Sequence, residues 1–150
     1  MTEPVTVLSD DLYGALNREP FVLLHTIDAD SGSPTSSAIS WIYAVNRTTL
    51  RFAIDGRSRL SVNMASKTEV SVTLFAPGTV QTIYGTARLV TEALEAVPFK
   101  LVCYDIDIAD VRDAMFYGAR LSAKPEYEKT YDQRAADKLD AQVFAAMRKA

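Results

Sequence analysis

Ser58 and Arg59 stand where a strand-like run ends and a helix can begin. Gly56 lets the chain turn after that run, and serine is a favoured residue type for capping a helix N-terminus. The first turn of a helix has unpaired backbone N–H groups and the positive end of the helix dipole. A hydroxyl and a guanidinium beside those amides match the chemistry of a phosphate monoester. Asn63, one turn further on, can add a supporting amide.

The charge distribution favours a confined anion site. The whole chain has a net charge of −3, yet residues 47–67 contain five basic side chains and one acidic side chain. An acidic protein with one short basic segment is unlike a general nucleic-acid-binding protein, so we expect no nucleic-acid partner. A serine-capped helix with solvated arginines is the alternative interpretation of this segment.

The sequence lacks the common catalytic and nucleotide-binding motifs, namely G-x-G-x-x-G, the P-loop, G-x-S-x-G, H-E-x-x-H and C-x-x-C. The single cysteine, Cys103, cannot form an internal disulfide, and the single histidine, His25, cannot build a histidine-rich metal site. Both lie in apolar runs, which favours structural roles. We therefore expect no metal site, and no side chain is assigned as a catalytic acid or base.

Length and composition predict one globular domain. The chain has 150 residues, of which 48% are hydrophobic and 23% charged, and a chain of this size can build a substantial core. No run approaches the ~20 apolar residues of a membrane-spanning helix, and the N-terminal residues do not resemble a signal peptide. We expect a cytoplasmic protein without a membrane partner.

Hydrophobic patterning predicts the element order β-β-β-α-β-β for the first 90 residues, after a short N-terminal helix that Pro20 ends. The clearest signal is the alternation of Leu50, Phe52 and Ile54 with other side chains. This order disfavours a parallel βαβ fold and favours a curled antiparallel sheet. The fold class is therefore mainly β with flanking helices (α+β). The predicted strands are 21–27, 35–45, 49–55, 70–75 and 80–90, with a helix at 59–67.

Helix-forming residues dominate after residue 92. The pattern predicts helices at 92–104, 109–121 and 132–149, the last with one apolar face that includes Leu139 and Val143. The expected organisation is a single domain, 1–150, with a C-terminal helical extension over about 92–150.

Residues 21–90 resemble the pyridoxamine 5'-phosphate oxidase-like, FMN-binding split-barrel family, especially its general stress protein branch. Four parts in order carry the resemblance: 24–28 with 32–34; 50–55; Ser58-Arg59 followed by Asn63-Met64; and 70–73 leading to 85–87. The resemblance implies a split β-barrel and a homodimer with FMN at the subunit interface. It also implies an oxidoreductase in which the flavin acts on a small-molecule substrate. Segments 111–119 and 125–127 look like a subfamily signature and have no assigned role.

The resemblance also implies which residues bind the cofactor. Ser58 and Arg59 match the family's phosphate-binding positions, with Asn63 in support. The strand whose backbone lies along the flavin is matched by Ser37, Ala38, Ile39 and Ser40. The strand end that contacts the ring and the ribityl chain is matched by Ala53 and Ile54. Gln81 matches a glutamine that reaches the flavin from the partner subunit.

Departures from the family pattern leave alternatives open. Ser37 and Ile42 lie on a strand where the vitamin B6 oxidase has basic residues, and Leu60 replaces a lysine. The oxidase's C-terminal substrate-phosphate motif is also missing, so pyridoxamine phosphate is not the expected substrate. The alternatives are a non-catalytic, stress-related flavin-binding protein and a protein that binds the deazaflavin F420. Haem is disfavoured because His25 is the only histidine and lies mid-strand.

Overall fold

The computed structural model describes residues 3–18 and 20–150. No helix in these two ranges is long and apolar enough to cross a membrane. They form three helices and seven strands: α1 Asp10–Leu16, β1 Val22–Ile27, β2 Pro34–Ile39, β3 Ile42–Asn46, β4 Thr49–Asp55, α2 Arg59–Ser66, β5 Glu69–Ala76, β6 Thr79–Thr91, β7 Leu101–Asp113 and α3 Gln133–Lys149.

The seven strands form one antiparallel sheet in the order β2-β1-β5-β6-β7-β4-β3. The two edge strands, β2 and β3, are joined only by Ser40 and Trp41, so the sheet must curl until its two edges meet at this link. The backbone N–H of Ala53 donates to the carbonyl of Trp41 over 3.0 Å and holds the link against β4. The result is an open barrel, which confirms the mainly β prediction. The single strand predicted at 35–45 is two strands with a bend between them.

The barrel interior contains the main core. Leu24, Leu50 and Phe52 are fully buried there, and Phe52 stacks on Tyr104 with ring centroids 5.6 Å apart. The predicted alternation in β4 is thus confirmed. Helix α1 contributes Leu12 and Leu16 to the same core, and α2 contributes two further residues, Leu60 and Met64.

A second core lies outside the barrel, where α3 packs on β4 and β7. Its strand residues are Ala53, Leu101 and Cys103, and its fully buried helix residues include Val143 and Met147. The apolar face predicted for the last helix is therefore confirmed. Trp41 also contacts α3, because its indole N–H donates to Asp140 Oδ1 over 2.9 Å.

The helices predicted at 92–104 and 109–121 are wrong. Residues Leu101–Asp113 form β7, which lies between β6 and β4 inside the sheet. The six residues from Leu101 to Ile106 are all buried, so the two faces of the strand cannot be distinguished by polarity there. Of the expected helical extension, only α3 is helical, and it follows an irregular segment at 114–132.

Candidate functional site

The N-terminus of α2 has the predicted cap. Ser58 is extended, with φ −64° and ψ 138°, and its Oγ accepts a hydrogen bond from the Leu60 N–H over 3.1 Å. The Ser58 N–H donates to the Asp55 carbonyl over 2.9 Å, which fixes the turn after β4. Because Oγ accepts in this cap, its own proton is available to donate to an anion.

Arg59 is held by two acidic residues from the β1–β2 turn. Its Nε donates to Asp28 Oδ1 over 2.7 Å, and its Nη2 donates to Asp30 Oδ2 over 2.6 Å. The guanidinium and the Ser31 N–H hold the pKa of the Asp28 carboxyl well below its usual range. Arg59 Nη1 makes no hydrogen bond to the described residues. The arginine is therefore oriented by carboxylates and keeps one nitrogen for another acceptor.

The positive charge predicted for residues 47–67 is compensated by acidic residues from other parts of the chain. Arg47 pairs with Asp10 over 2.7 Å, and Arg51 pairs with Asp105 over 2.7 Å. Around the start of α2, Arg57 and Arg59 contact three carboxylates, those of Asp28, Asp30 and Asp55. The Lys100 side chain packs next to Gly56, so three basic and three acidic side chains surround this turn. The local charge is thus balanced, which leaves little net electrostatic attraction for a phosphate.

Asn63 is 1% exposed and is engaged at both ends of its side-chain amide. Its Oδ1 accepts from the Ala29 N–H over 2.9 Å, and its Nδ2 donates to Thr26 Oγ1 over 3.0 Å. These bonds tie α2 to β1 and to the turn that carries Asp28. Asn63 therefore positions the turn that orients Arg59.

The four predicted residues on or next to β2 point to alternate sides. Ser37 pairs with Leu24 and Ile39 pairs with Val22, and both partners face the barrel interior. Ala38 therefore faces outward by the two-residue period of a strand, and Ser40 follows β2 in the bend before β3. Because β2 is an edge strand, its second side has backbone N–H and C=O groups that are unpaired within the sheet. A planar polar ligand can bind along that edge.

Ala53 and Ile54 are only 2% and 5% exposed. The Ala53 side chain lies in the outer core against α3, and the Ile54 side chain lies in the barrel interior. These side chains cannot line an open site, so any contact with a ligand has to come from the backbone.

Gln81 is apart from the other predicted residues. The register runs from Ile39 on β2 through Val22 and Leu74 to Gln81 on β6. Three strand spacings separate Gln81 from Ile39, which amounts to about 14 Å. One subunit therefore brings together Ser58, Arg59 and Asn63 and leaves Gln81 on a distant strand.

Asp28 and Asp30 are the residues that sequence reasoning missed. They lie 31 and 29 positions before Arg59 and look like ordinary turn residues. Asp28 also accepts from the Ser31 N–H over 2.9 Å, which is the local bond that makes aspartate common in turns. Its second role depends on the packing of α2 against this turn.

Cys103 has the structural role that its apolar surroundings predict. It is fully buried beneath α3, and burial raises the pKa of its thiol to about 11. At pH 8 the thiol is therefore protonated and shielded. We expect no reaction of the native protein with a thiol reagent such as DTNB, and one reactive thiol after denaturation. Rapid labelling of the native protein would contradict this prediction.

Three solved structures illustrate the similarity of this architecture to known proteins. A candidate pyridoxamine 5'-phosphate oxidase from Lactobacillus delbrueckii has a TM-score of 0.62 at 17% identity, over 72% of this chain and 95% of that one. An FMN-binding protein from Syntrophomonas wolfei has a TM-score of 0.56 at 13% identity, over 71% and 86%. A protein named F420 reductase has a TM-score of 0.59 at 14% identity, over 70% and 98%.

The chain has the split-barrel fold of these proteins. This confirms the split β-barrel predicted from residues 21–90. No protein-family model matches the sequence, and no curated protein matches it. In this split barrel, the Ser58 cap follows the end of β4. The unpaired edge of β2 ends just before Trp41, whose carbonyl accepts a hydrogen bond from Ala53 on β4.

Proposed function

We propose that this chain binds FMN as a homodimer and that it is an oxidoreductase acting on a small organic molecule. The observation that carries the proposal is the split-barrel fold with a capped helix, α2, that begins just after β4. Arg57 and the Asp28–Arg59 ion pair flank the N-terminus of this helix. A phosphate monoester fits such a helix N-terminus. The edge of β2 offers backbone groups to a flat ring.

Each group has a distinct part in holding the flavin. The Leu60 and Ser61 N–H groups donate to Ser58, so the Arg59 N–H is the first-turn amide left for the phosphate. The Ser58 hydroxyl and Arg59 Nη1 add two further donors. Asp28 and Asp30 orient Arg59 for that contact. The backbone along β2 orients the ring. Bound FMN supplies hydride and electron transfer, and the chain contributes binding, orientation and exclusion of water.

The outer face of β2, β1, β5 and β6 supports the homodimer. The helices place their buried side chains in the barrel interior or against β4 and β7. On the outer face the His25 ring lies between two hydroxyls, 2.9 Å from Ser36 Oγ and 2.7 Å from Thr73 Oγ1. Gln81 pairs with the buried Leu74, so its side chain lies on the interior side of the sheet, at the barrel rim. A contact between Gln81 and the flavin of a partner subunit would therefore be made at that rim, which a single subunit cannot do.

Flavin binding is tested by the absorption spectrum of the purified protein, identification of the molecule released on denaturation, and light scattering for mass. We expect a flavin spectrum and a dimer. Arg59→Ala should weaken FMN binding about tenfold, as measured by quenching of flavin fluorescence, because a charged hydrogen bond is lost. The control is Arg134→Ala, which removes an exposed arginine from α3. A colourless monomer that does not quench FMN would overturn the proposal.

The deazaflavin F420 is the second candidate cofactor, because one protein of this fold is named F420 reductase. Parallel titrations with FMN and F420 separate the two. The alternative is a non-catalytic flavin-binding protein, because Asp28 is locked to Arg59 and none of the residues proposed to hold the flavin has a side chain that exchanges a proton near neutral pH. Reduction of bound flavin by NAD(P)H without turnover on any acceptor would favour this alternative.

Asp30→Asn is expected to tighten FMN binding about three- to tenfold, because it removes a negative charge next to the phosphate site. Asp28 still orients Arg59 through two hydrogen bonds in this variant. The measurement is the FMN dissociation constant at low and high salt, and the gain should shrink with salt. Asp137→Asn on α3 is the control. An unchanged affinity would show that the charge of Asp30 does not act on the phosphate, and a weaker affinity would show that Arg59 needs Asp30 for its orientation.

A further inference from the structure

A cavity of about 470 Å³ lies at the rim of the barrel, between α1, the end of β5 and the irregular segment after β7. Its lining includes residues 124–127 and therefore the segment 125–127, whose role the sequence left unassigned. None of the ten residues predicted to bind the cofactor lines it. The cavity is thus separate from the proposed flavin site, and an inference about it does not rest on the proposed function.

Three aromatic rings form one wall of this cavity. Phe21 and Phe75 are stacked, with centroids 6.2 Å apart and ring planes 15° apart. Tyr127 packs on Phe21 at 5.7 Å with a tilt of 35°. None of the three is fully buried, so their rings face accessible space. Further wall residues are Pro20, Pro77 and Pro125, which have no backbone N–H to donate.

The charged groups at the cavity balance one another. Asp11 and Glu126 face Arg18 and Lys124 across it, and none of these four forms an ion pair with the described residues. The fifth charged group, Asp10, is already paired with Arg47 over 2.7 Å. Among the described lining residues, therefore, the unpaired charges sum to zero and favour neither a cation nor an anion.

We propose that this cavity binds a flat, uncharged aromatic molecule of one or two rings, packed against the wall that Phe21, Phe75 and Tyr127 form. Its volume is within the usual range of small-molecule sites, about 300–1,000 Å³. Aromatic pairs attract by about 0.5–1.5 kcal/mol beyond the effect of burying their area, so three rings favour a planar guest over an aliphatic one. Segment 124–127 then has a role, which is to close the cavity over the guest.

The test is a ligand-observed NMR titration of the full chain with 2-naphthol, without added flavin. We expect saturable binding to the wild type and binding about five- to tenfold weaker in Phe75→Leu and in Tyr127→Ser, which each remove one ring. Tyr131→Ser is the matched control, because Tyr131 is 50% exposed, as against 47% for Tyr127, and does not line the cavity. The anion 2-naphthoate should bind no more tightly than 2-naphthol.

Absence of saturable binding to the wild type would overturn the proposal. Equal affinities of Tyr127→Ser and Tyr131→Ser for 2-naphthol would also overturn the proposal, because the Tyr127 ring would then contribute nothing to binding. Circular dichroism of each variant checks folding. If Phe75→Leu does not fold, the comparison of the two tyrosine variants decides, since both side chains are about half exposed. The outcome is independent of FMN binding, which is measured on the same samples.

Discussion

Replacing Arg51 with leucine is expected to lower the free energy of unfolding by about 3 kcal/mol, because it leaves the buried Asp105 carboxylate with only the 3.4 Å contact of Arg88. Arg51 Nε and Nη2 donate to the two oxygens of Asp105 over 2.7 and 3.0 Å, and these side chains are only 13% and 5% exposed. The ion pair holds the pKa of the Arg51 guanidinium above its usual value. Arg51 Nη1 also donates to the Met147 and Ala150 carbonyls at the end of α3. One side chain therefore joins β4, β7 and α3.

Urea denaturation at pH 7 measures this effect. The control is Arg57→Leu, because Arg57 is 92% exposed in its pair with Asp55 and should change stability by less than about 0.5 kcal/mol. A second variant, Arg51→Leu with Asp105→Leu, should recover much of the loss, because an apolar pair leaves no unpaired charge. A loss below about 1 kcal/mol in the single variant would show that this ion pair does not stabilise the fold.

Gly85→Ala is expected to destabilise the protein by about 3 kcal/mol or more, because the added methyl group has no space. A Cβ at Gly85 would lie 2.4 Å from the Asp107 carbonyl oxygen and 2.6 Å from Ile106 Cγ2. The register between β6 and β7 shifts between Tyr84 and Gly85, so the two backbones approach closely at this irregularity. The carbonyl cannot move away without disturbing the longest strand pair in the sheet.

Thermal and urea unfolding measure the effect of Gly85→Ala. The same substitution at Gly14 is the matched control. A Cβ there would meet only the Arg18 side chain at 3.6 Å, and alanine is the better helix former, so Gly14→Ala should be neutral or stabilising by up to about 1 kcal/mol. A Gly85→Ala protein as stable as the wild type would mean that β6 and β7 can separate at this point without cost.

The strands and helix around the proposed flavin site were predictable because their signals are local. The alternation in β4 and the serine cap of α2 depend on neighbouring residues, and the structure confirms both. The strand β7 was missed although Asp105, Ile106, Asp107 and Ile108 alternate as strand residues do. Its acidic residues are unusual inside a sheet and are explained only by arginines on the neighbouring strands, such as Arg51 and Arg88.

The electrostatic state of the candidate site could not be predicted from the sequence. The sequence places Arg59 in a basic segment, whereas the folded chain brings Asp28 and Asp30 against it. That contact requires α2 to pack on the β1–β2 turn, which depends on the hydrogen bonds of Asn63. Asn63 was predicted as a supporting residue of the phosphate site, and its spacing did not indicate that its amide bonds the Ala29 N–H and the Thr26 hydroxyl.

The position of β7 between β4 and β6 has a consequence for how the protein is made. During synthesis, the ribosome releases β1 to β6 before Leu101 emerges, so β4 and β6 each have an unpaired edge until the last strand arrives. Such edges are templates for aggregation. A nascent polypeptide truncated before residue 101 should therefore be insoluble or captured by chaperones, and release of folded product should await synthesis of residue 113.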